Sequence, residues 1–190
     1  MAITIDEVVS KLKQGNDNFV ADKLDGKLQD STRRDHLTSG QAPHTIVLSC
    51  ADSRVVPELA FDSGLGELFV IRVAGNVANV SSVASIEYAV AHLGTQVIVV
   101  MGHESCGAVT AAVAGGDNGP NLNTLLGYIK PAVDACGSGA DLADIVKKNT
   151  ELVKGDLTSK STIIADAVNS GKVVIKPAYY NLGSGKVDFL

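Results

Sequence analysis

Short β-branched runs alternate with helical segments along most of this chain. Thr45-Ile46-Val47-Leu48 and Val97-Ile98-Val99-Val100 are nearly continuous apolar runs, not alternating ones. A strand of that kind is buried on both faces, and such strands belong to parallel sheets covered by helices on either side. The pattern predicts strands near 45–49, 68–72, 96–101 and 172–176. Helices are expected near 56–61, 82–93, 106–114, 121–135, 140–154 and 158–170. The expected class is α/β, a mostly parallel central sheet flanked by helices.

Ahead of this core, Thr4-x-x-Glu7 is a capping-box signature, with Val8, Val9, Leu12 and Phe19 at helical spacing behind it. Residues 22–40 are polar and carry no sustained period, which reads as a linker or arm. Residues 1–40 are thus an N-terminal helix and arm, and 41–190 an α/β core, in a single domain. Gly115-Gly116-Asp117-Asn118-Gly119-Pro120 is a turn. Gly183-Ser184-Gly185-Lys186 resembles the end of a phosphate loop, but no Ser or Thr follows the Lys and no helix remains to follow it. A C-terminal β-hairpin joining Ala178–Leu182 to Val187–Leu190 fits better.

A net charge of -5 without a Lys/Arg-dense stripe argues against nucleic acid as a partner. No apolar stretch approaches the roughly 18–20 residues of a membrane span. The start, Met1 to Glu7, carries acidic residues where a signal peptide has basic ones, so a cytoplasmic protein is expected. A processed organelle form is compatible with the same residues. Three cysteines is an odd number, and a reducing compartment favours metal binding or free thiols over disulfides.

The chemistry concentrates behind two of the apolar runs, in Cys50-Ala51-Asp52-Ser53-Arg54 and His103-Glu104-Ser105-Cys106. Two thiols and an imidazole make a three-ligand set that suits zinc and leaves its fourth position free. Asp52 and Arg54 follow Cys50 by two and four residues, within reach of that position. Ligands of open parallel sheets gather at the carboxyl ends of strands, where Cys50 and His103 fall. His103 and Cys106 are spaced i and i+3, so a first helical turn would present both on one side. A helix N-terminus would also favour the Cys106 thiolate.

Each residue has a plainer reading on its own. Cys50 and Cys106 suit small buried positions, or a redox dithiol without the usual C-x-x-C spacing, and His103 suits a satisfied core histidine. Taken together at strand ends, with Asp52 and Arg54 beside them, they point to a metal. Other zinc patterns fail: His-Glu-x-x-His would need histidine where Gly107 stands, and no Pro-Cys-x-x-Cys is present for a nucleobase deaminase. Cys136, at the Ala135-Cys136-Gly137 helix end, is read as a bystander.

The C-x-D-S-R and H-x-x-C motifs, as Cys50/Asp52/Ser53/Arg54 and His103/Cys106, resemble those of the β-class carbonic anhydrases. The stretches Gly66 to Asn76, Ser85 to Val90 and the terminal Gly183-x-Gly185-Lys186-Val187 hairpin are similar to that family as well. The resemblance implies one zinc ion on Cys50, His103 and Cys106, with water or hydroxide in the fourth place. It implies that Asp52 accepts a hydrogen bond from that hydroxide, and that Arg54 pairs with Asp52 and keeps it off the metal. The implied reaction is reversible hydration of carbon dioxide to bicarbonate and a proton.

The resemblance extends to the family's plant-like pocket type, which has a Gln nine residues before the first ligand, where Gln41 stands. Phe69 and Tyr88 match the other substrate-binding residues of that type. His92 matches a proposed proton shuttle, a role suited to the ordinary titration range of an imidazole. His44 is read as a loop residue. The allosteric bicarbonate site of the second pocket type is lined by a Trp, and this chain has none. Family members are homodimers or larger dimer-based assemblies, which is the expectation here. The alternative enzyme is a hydrolase of carbonyl sulfide or carbon disulfide on the same zinc site. A non-catalytic zinc-stabilised binding protein would have lost Asp52 or Arg54, and both are present.

Overall fold

The run Thr45–Ser49 forms strand β1 with every residue buried. The computed structural model describes residues 3–190, so Met1 and Ala2, which open the expected N-terminal segment, lie outside the described residues. Strands β2 (Leu68–Arg72), β3 (Val97–His103), β4 (Val174–Tyr180) and β5 (Val187–Phe189) complete one sheet in the order β2-β1-β3-β4-β5. All pairings are parallel except β4 with β5, the expected terminal hairpin. The helices are α1 (Ile5–Val20), α2 (Ser31–Leu37), α3 (Pro57–Ala60), α4 (Val80–Leu93), α5 (Gly107–Ala114), α6 (Pro120–Cys136), α7 (Leu142–Lys160) and α8 (Thr162–Asn169). Among the described residues no helix is long and apolar enough to cross a membrane.

Period-two alternation divides the strand residues between two cores. Ile46, Leu48, Ile98, Val100 and Ile175 pack with α4, α7 and α8. Val47, Val97, Val99, Met101 and Ala178 pack with α1 and α3. Both faces are covered, which is why the runs were apolar without alternation. The sheet grows from β1 first toward β2 and then toward β3, so the direction of strand order reverses at β1. That reversal leaves a crevice at the carboxyl ends of β1 and β3, where ligands collect in such sheets.

The capping box forms as written: the Thr4 hydroxyl accepts from Glu7 N at 3.3 Å and the Glu7 carboxylate from Thr4 N at 2.8 Å. Further along α1, buried Asn16 donates to the carbonyls of Ala60 and Gly185, both at 2.9 Å, and accepts from Val187 N at 2.8 Å. One side chain thereby ties α1 to α3 and to the C-terminal hairpin.

The arm is not devoid of structure. Residues 31–37 form α2, with Asp30 as N-cap accepting from Arg33 N at 2.9 Å. No residue of α2 is buried, so no apolar period marks it in the sequence. Ser161 divides α7 from α8 and caps the latter through Ile164 N, several residues later than the expected break. The expected strand at 172–176 and the first strand of the hairpin are one continuous strand, β4.

Candidate metal centre

Cys50 is the first residue beyond β1, and β3 runs on to end at His103. The parallel register pairs Ser49 with Met101, so the two strands deliver thiol and imidazole to the same edge. Cys106 is the N-cap of α5. The expected helical turn between His103 and Cys106 is absent. Ser105 takes a left-handed conformation, φ 53°, and that turn folds Cys106 back toward the imidazole. The outcome is the one expected by another route: the ligand atoms of Cys50, His103 and Cys106 lie within 4.8 Å of one another, on three buried residues.

Their protonation fits a cation. His103 Nδ1 lies 2.8 Å from the Glu104 carbonyl, which can only accept, so Nδ1 carries the proton and Nε2 presents its lone pair. That Nε2 is buried without a hydrogen-bond partner. An unmet buried acceptor costs about 1–3 kcal/mol, and an ion among the three donor atoms would meet it. The neighbouring Cys106 thiol holds the Cys50 thiol below its ordinary range, against the opposing effect of burial. Cys50 beside it, together with burial, pushes the Cys106 thiol well above the ordinary range. A divalent ion among them would let both sulfurs bind as thiolates.

The Cys50 sulfur also accepts from Gly75 N at 3.4 Å. Gly75 has φ 69°, and a Cβ there would lie 2.5 Å from Ile129 Cδ1, so glycine is what lets this backbone approach the thiol. Buried Asn149 of α7 holds the Gly75 carbonyl at 3.0 Å. Neither Gly75 nor Asn149 drew a role from the sequence. Gly75 sits in a stretch noted for its resemblance, and Asn149 gave no signal at all.

Asp52 stands at the rim, its Oδ2 3.8 Å from His103 Nε2 and outside the metal-capable group. Arg54 engages both carboxylate oxygens, Nε to Oδ1 at 2.9 Å and Nη2 to Oδ2 at 2.7 Å, and its backbone N adds a third bond at 3.0 Å. The Arg54 guanidinium holds the Asp52 carboxyl well below the usual carboxylate range, so it is ionised throughout the physiological span. Arg72, at the end of β2, donates to the carbonyls of Cys50 and Asp52.

The expected pocket residues form a separate group. Phe69 of β2 and Tyr88 of α4 have ring centroids 6.3 Å apart, and Tyr88 and His92 5.3 Å apart. Tyr88 is 49% exposed. Gln41 is exposed ahead of β1, whereas Cys50 follows it; five strand residues separate the two ends, roughly 16 Å at about 3.3 Å per residue. Phe69 packs with the α4 core, while Cys50 and Cys106 pack with α6 and α7. A single chain thus gathers the ligands with Asp52 and Arg54, and places the pocket residues elsewhere. His44, half-buried, pairs Nδ1 with the Thr45 hydroxyl at 2.8 Å. Cys136 ends α6 outside the metal-capable group.

The chain is similar to proteins of one known family. A sequence profile described as carbonic anhydrase matches residues 45–187. Carbonic anhydrase 2 of Mycobacterium tuberculosis is 36% identical over 185 residues, covering 92% of this chain and 87% of the relative. A Coccomyxa β-carbonic anhydrase solved with acetazolamide superposes with a TM-score of 0.77 at 26% identity, over 100% of this chain and 87% of that one. A tetrameric β-carbonic anhydrase of Sordaria macrospora gives 0.75 at 25% identity, over 96% of each chain.

Proposed function

The chain belongs to the β-class carbonic anhydrase family, a family of lyases, and on that premise we propose that it hydrates carbon dioxide reversibly to bicarbonate and a proton, with one zinc ion held by Cys50, His103 and Cys106. The observation that carries the proposal is the buried two-sulfur, one-nitrogen group with an ionised carboxylate beside it that does not occupy it. Zinc bound there would act as a Lewis acid that brings the pKa of water down to about 7, a value known from a differently liganded carbonic anhydrase.

The protein's own part is electrostatic and positional. Two thiolates already neutralise a divalent ion, so a third anion on the metal would blunt its acidity. Arg54 prevents that by holding both oxygens of Asp52. Asp52, kept ionised at the rim, can only accept a hydrogen bond, so it selects and orients a reacting water by its remaining proton. The Nδ1 bond to Glu104 fixes the His103 ring, and Gly75 N orients the Cys50 sulfur.

Gln41, Phe69 and Tyr88 are proposed to bind the substrate, Gln41 through a substrate oxygen and the two rings as an apolar wall. One chain keeps them away from its own metal group, so they serve a pocket across a subunit contact. A homodimer, or a larger assembly of dimers, is part of the proposal. The half-exposed Tyr88 and the 82% exposed Val80 on the same helix support it, as does the tetrameric Sordaria relative. His92, in ring contact with Tyr88 and exposed, is the proposed proton shuttle to buffer.

Stopped-flow hydration of carbon dioxide by the zinc-replete protein tests this reading. Turnover near neutral pH is expected, with Asp52→Ala keeping its zinc and losing about 100-fold or more in kcat. Zinc-loaded protein inert at every pH would overturn the reaction, and turnover of carbonyl sulfide or carbon disulfide instead would reassign the site. Unchanged turnover in Asp52→Ala would remove that residue from the mechanism.

A further inference from the structure

Strand β2 is apolar until its last residue, Arg72, which pairs in register with Ser49, the residue before Cys50. The side chain is exposed, yet its guanidinium turns back onto the neighbouring chain. Nε donates to the carbonyl of Cys50 at 3.1 Å and Nη2 to the carbonyl of Asp52 at 2.6 Å. Those two carbonyls flank Ala51, at the point where the chain leaves β1 and bends into the loop. Among the described residues Arg72 pairs with no carboxylate. Asp52 is therefore gripped at both ends, by Arg54 on its carboxylate and by Arg72 on its backbone.

We propose that Arg72 is a positioning residue for the hydration reaction. It fixes the Cys50–Asp52 turn so that the Cys50 sulfur meets His103 and Cys106 while the Asp52 carboxylate faces the open side of that group. Two acceptors at a set spacing need two donors in a rigid plane, which a guanidinium supplies and an ammonium does not. The position is consequently sensitive to geometry beyond charge. The kinetic half of the inference rests on the carbonic anhydrase reading; the metal-affinity half rests on the fork alone.

The test compares the full-length wild type with Arg72→Lys and Arg72→Gln. Zinc affinity is read by competition with a chromophoric chelator, the cobalt-substituted forms by visible spectrum, and kinetics by carbon dioxide hydration. Both variants should fold with unchanged far-ultraviolet circular dichroism, because the side chain is exposed. Zinc affinity or kcat should fall about 10–100-fold, as for other groups that orient a ligand from behind. KM should stay within about twofold, the sign of an interaction that matters in the transition state. The cobalt spectrum should shift, and lysine should not rescue.

Affinity, spectrum and kcat all within about twofold of wild type in Arg72→Gln would overturn the proposal. So would full recovery in Arg72→Lys, which would leave charge as the only requirement. Loss of the fold in both variants would likewise overturn it, by making Arg72 a structural residue. If zinc-loaded wild type proves inactive, the reaction falls, and the affinity and spectral comparison still decides Arg72.

Discussion

Gly75→Ala perturbs a point where the backbone donates to a candidate metal ligand, the Cys50 sulfur. Two costs are expected. Alanine at φ 69° is forced into the left-handed region, which costs about 1 kcal/mol. The new Cβ would also lie 2.5 Å from Ile129 Cδ1. Ile129 is fully buried among α6 and α7, so it cannot swing aside freely, and such overpacking costs about 1–3 kcal/mol. The sum is about 2–4 kcal/mol, or roughly 5–15 °C in Tm for a chain of this size.

Gly94→Ala separates the two terms, since Gly94 has φ 67° with nothing within 4 Å of a Cβ. It should show the strain cost alone. Ile129→Val removes the clashing methyl at a cost of about 1 kcal/mol. The double variant Gly75→Ala/Ile129→Val should then be less destabilised than the two single changes added together, by about 1–2 kcal/mol. Urea unfolding at fixed protein concentration, with equal slopes, gives each value. Additivity within about 0.5 kcal/mol, or a Gly75→Ala cost no larger than that of Gly94→Ala, would refute the close-approach argument.

Asn16→Leu should cost about 3 kcal/mol or more, because it leaves the Val187 N–H and the Ala60 and Gly185 carbonyls unpartnered at once; urea unfolding near wild-type stability would refute the clamp. Burial, helped by the Lys11 charge and opposed by Glu67, lowers the His44 pKa to about 4. As pH falls from 6.5 toward 4 the unfolded chain takes up a proton that the folded one refuses, so stability is lost across that window and is full above it. The shift sets a ceiling of about 3 kcal/mol, and allowing for solvent screening about 1 kcal/mol should go between pH 7 and pH 5. His44→Gln should remove that share of the slope, and an unchanged pH dependence in the variant would refute the assignment. Cys106→Ala should lose bound zinc and much of the associated stability; metal analysis showing a fully loaded variant would contradict the ligand assignment.

The chain's own residues determined the strands and the donor set. The strands near 45–49 and 96–101 are legible because burial on both faces leaves an apolar run, and the thiols and imidazole are legible because they stand within a few residues of the ends of those runs. Helix α2 was illegible for the converse reason, since a short helix with no fully buried residue leaves no apolar period. Tertiary structure decided the remainder. Cys50 and His103 are 53 positions apart, and only the pairing of β1 with β3 sets them at one edge. The left-handed turn at Ser105, the fork of Arg72 on two carbonyls and the seat of Gly75 against Ile129 each depend on atoms from distant segments. Local pattern reports what a residue can bury or donate; which partner it meets is set by the packing of the sheet and its helices, and that is why Gln41, Phe69 and Tyr88 matched a pocket by sequence yet stand apart from the metal group of their own chain.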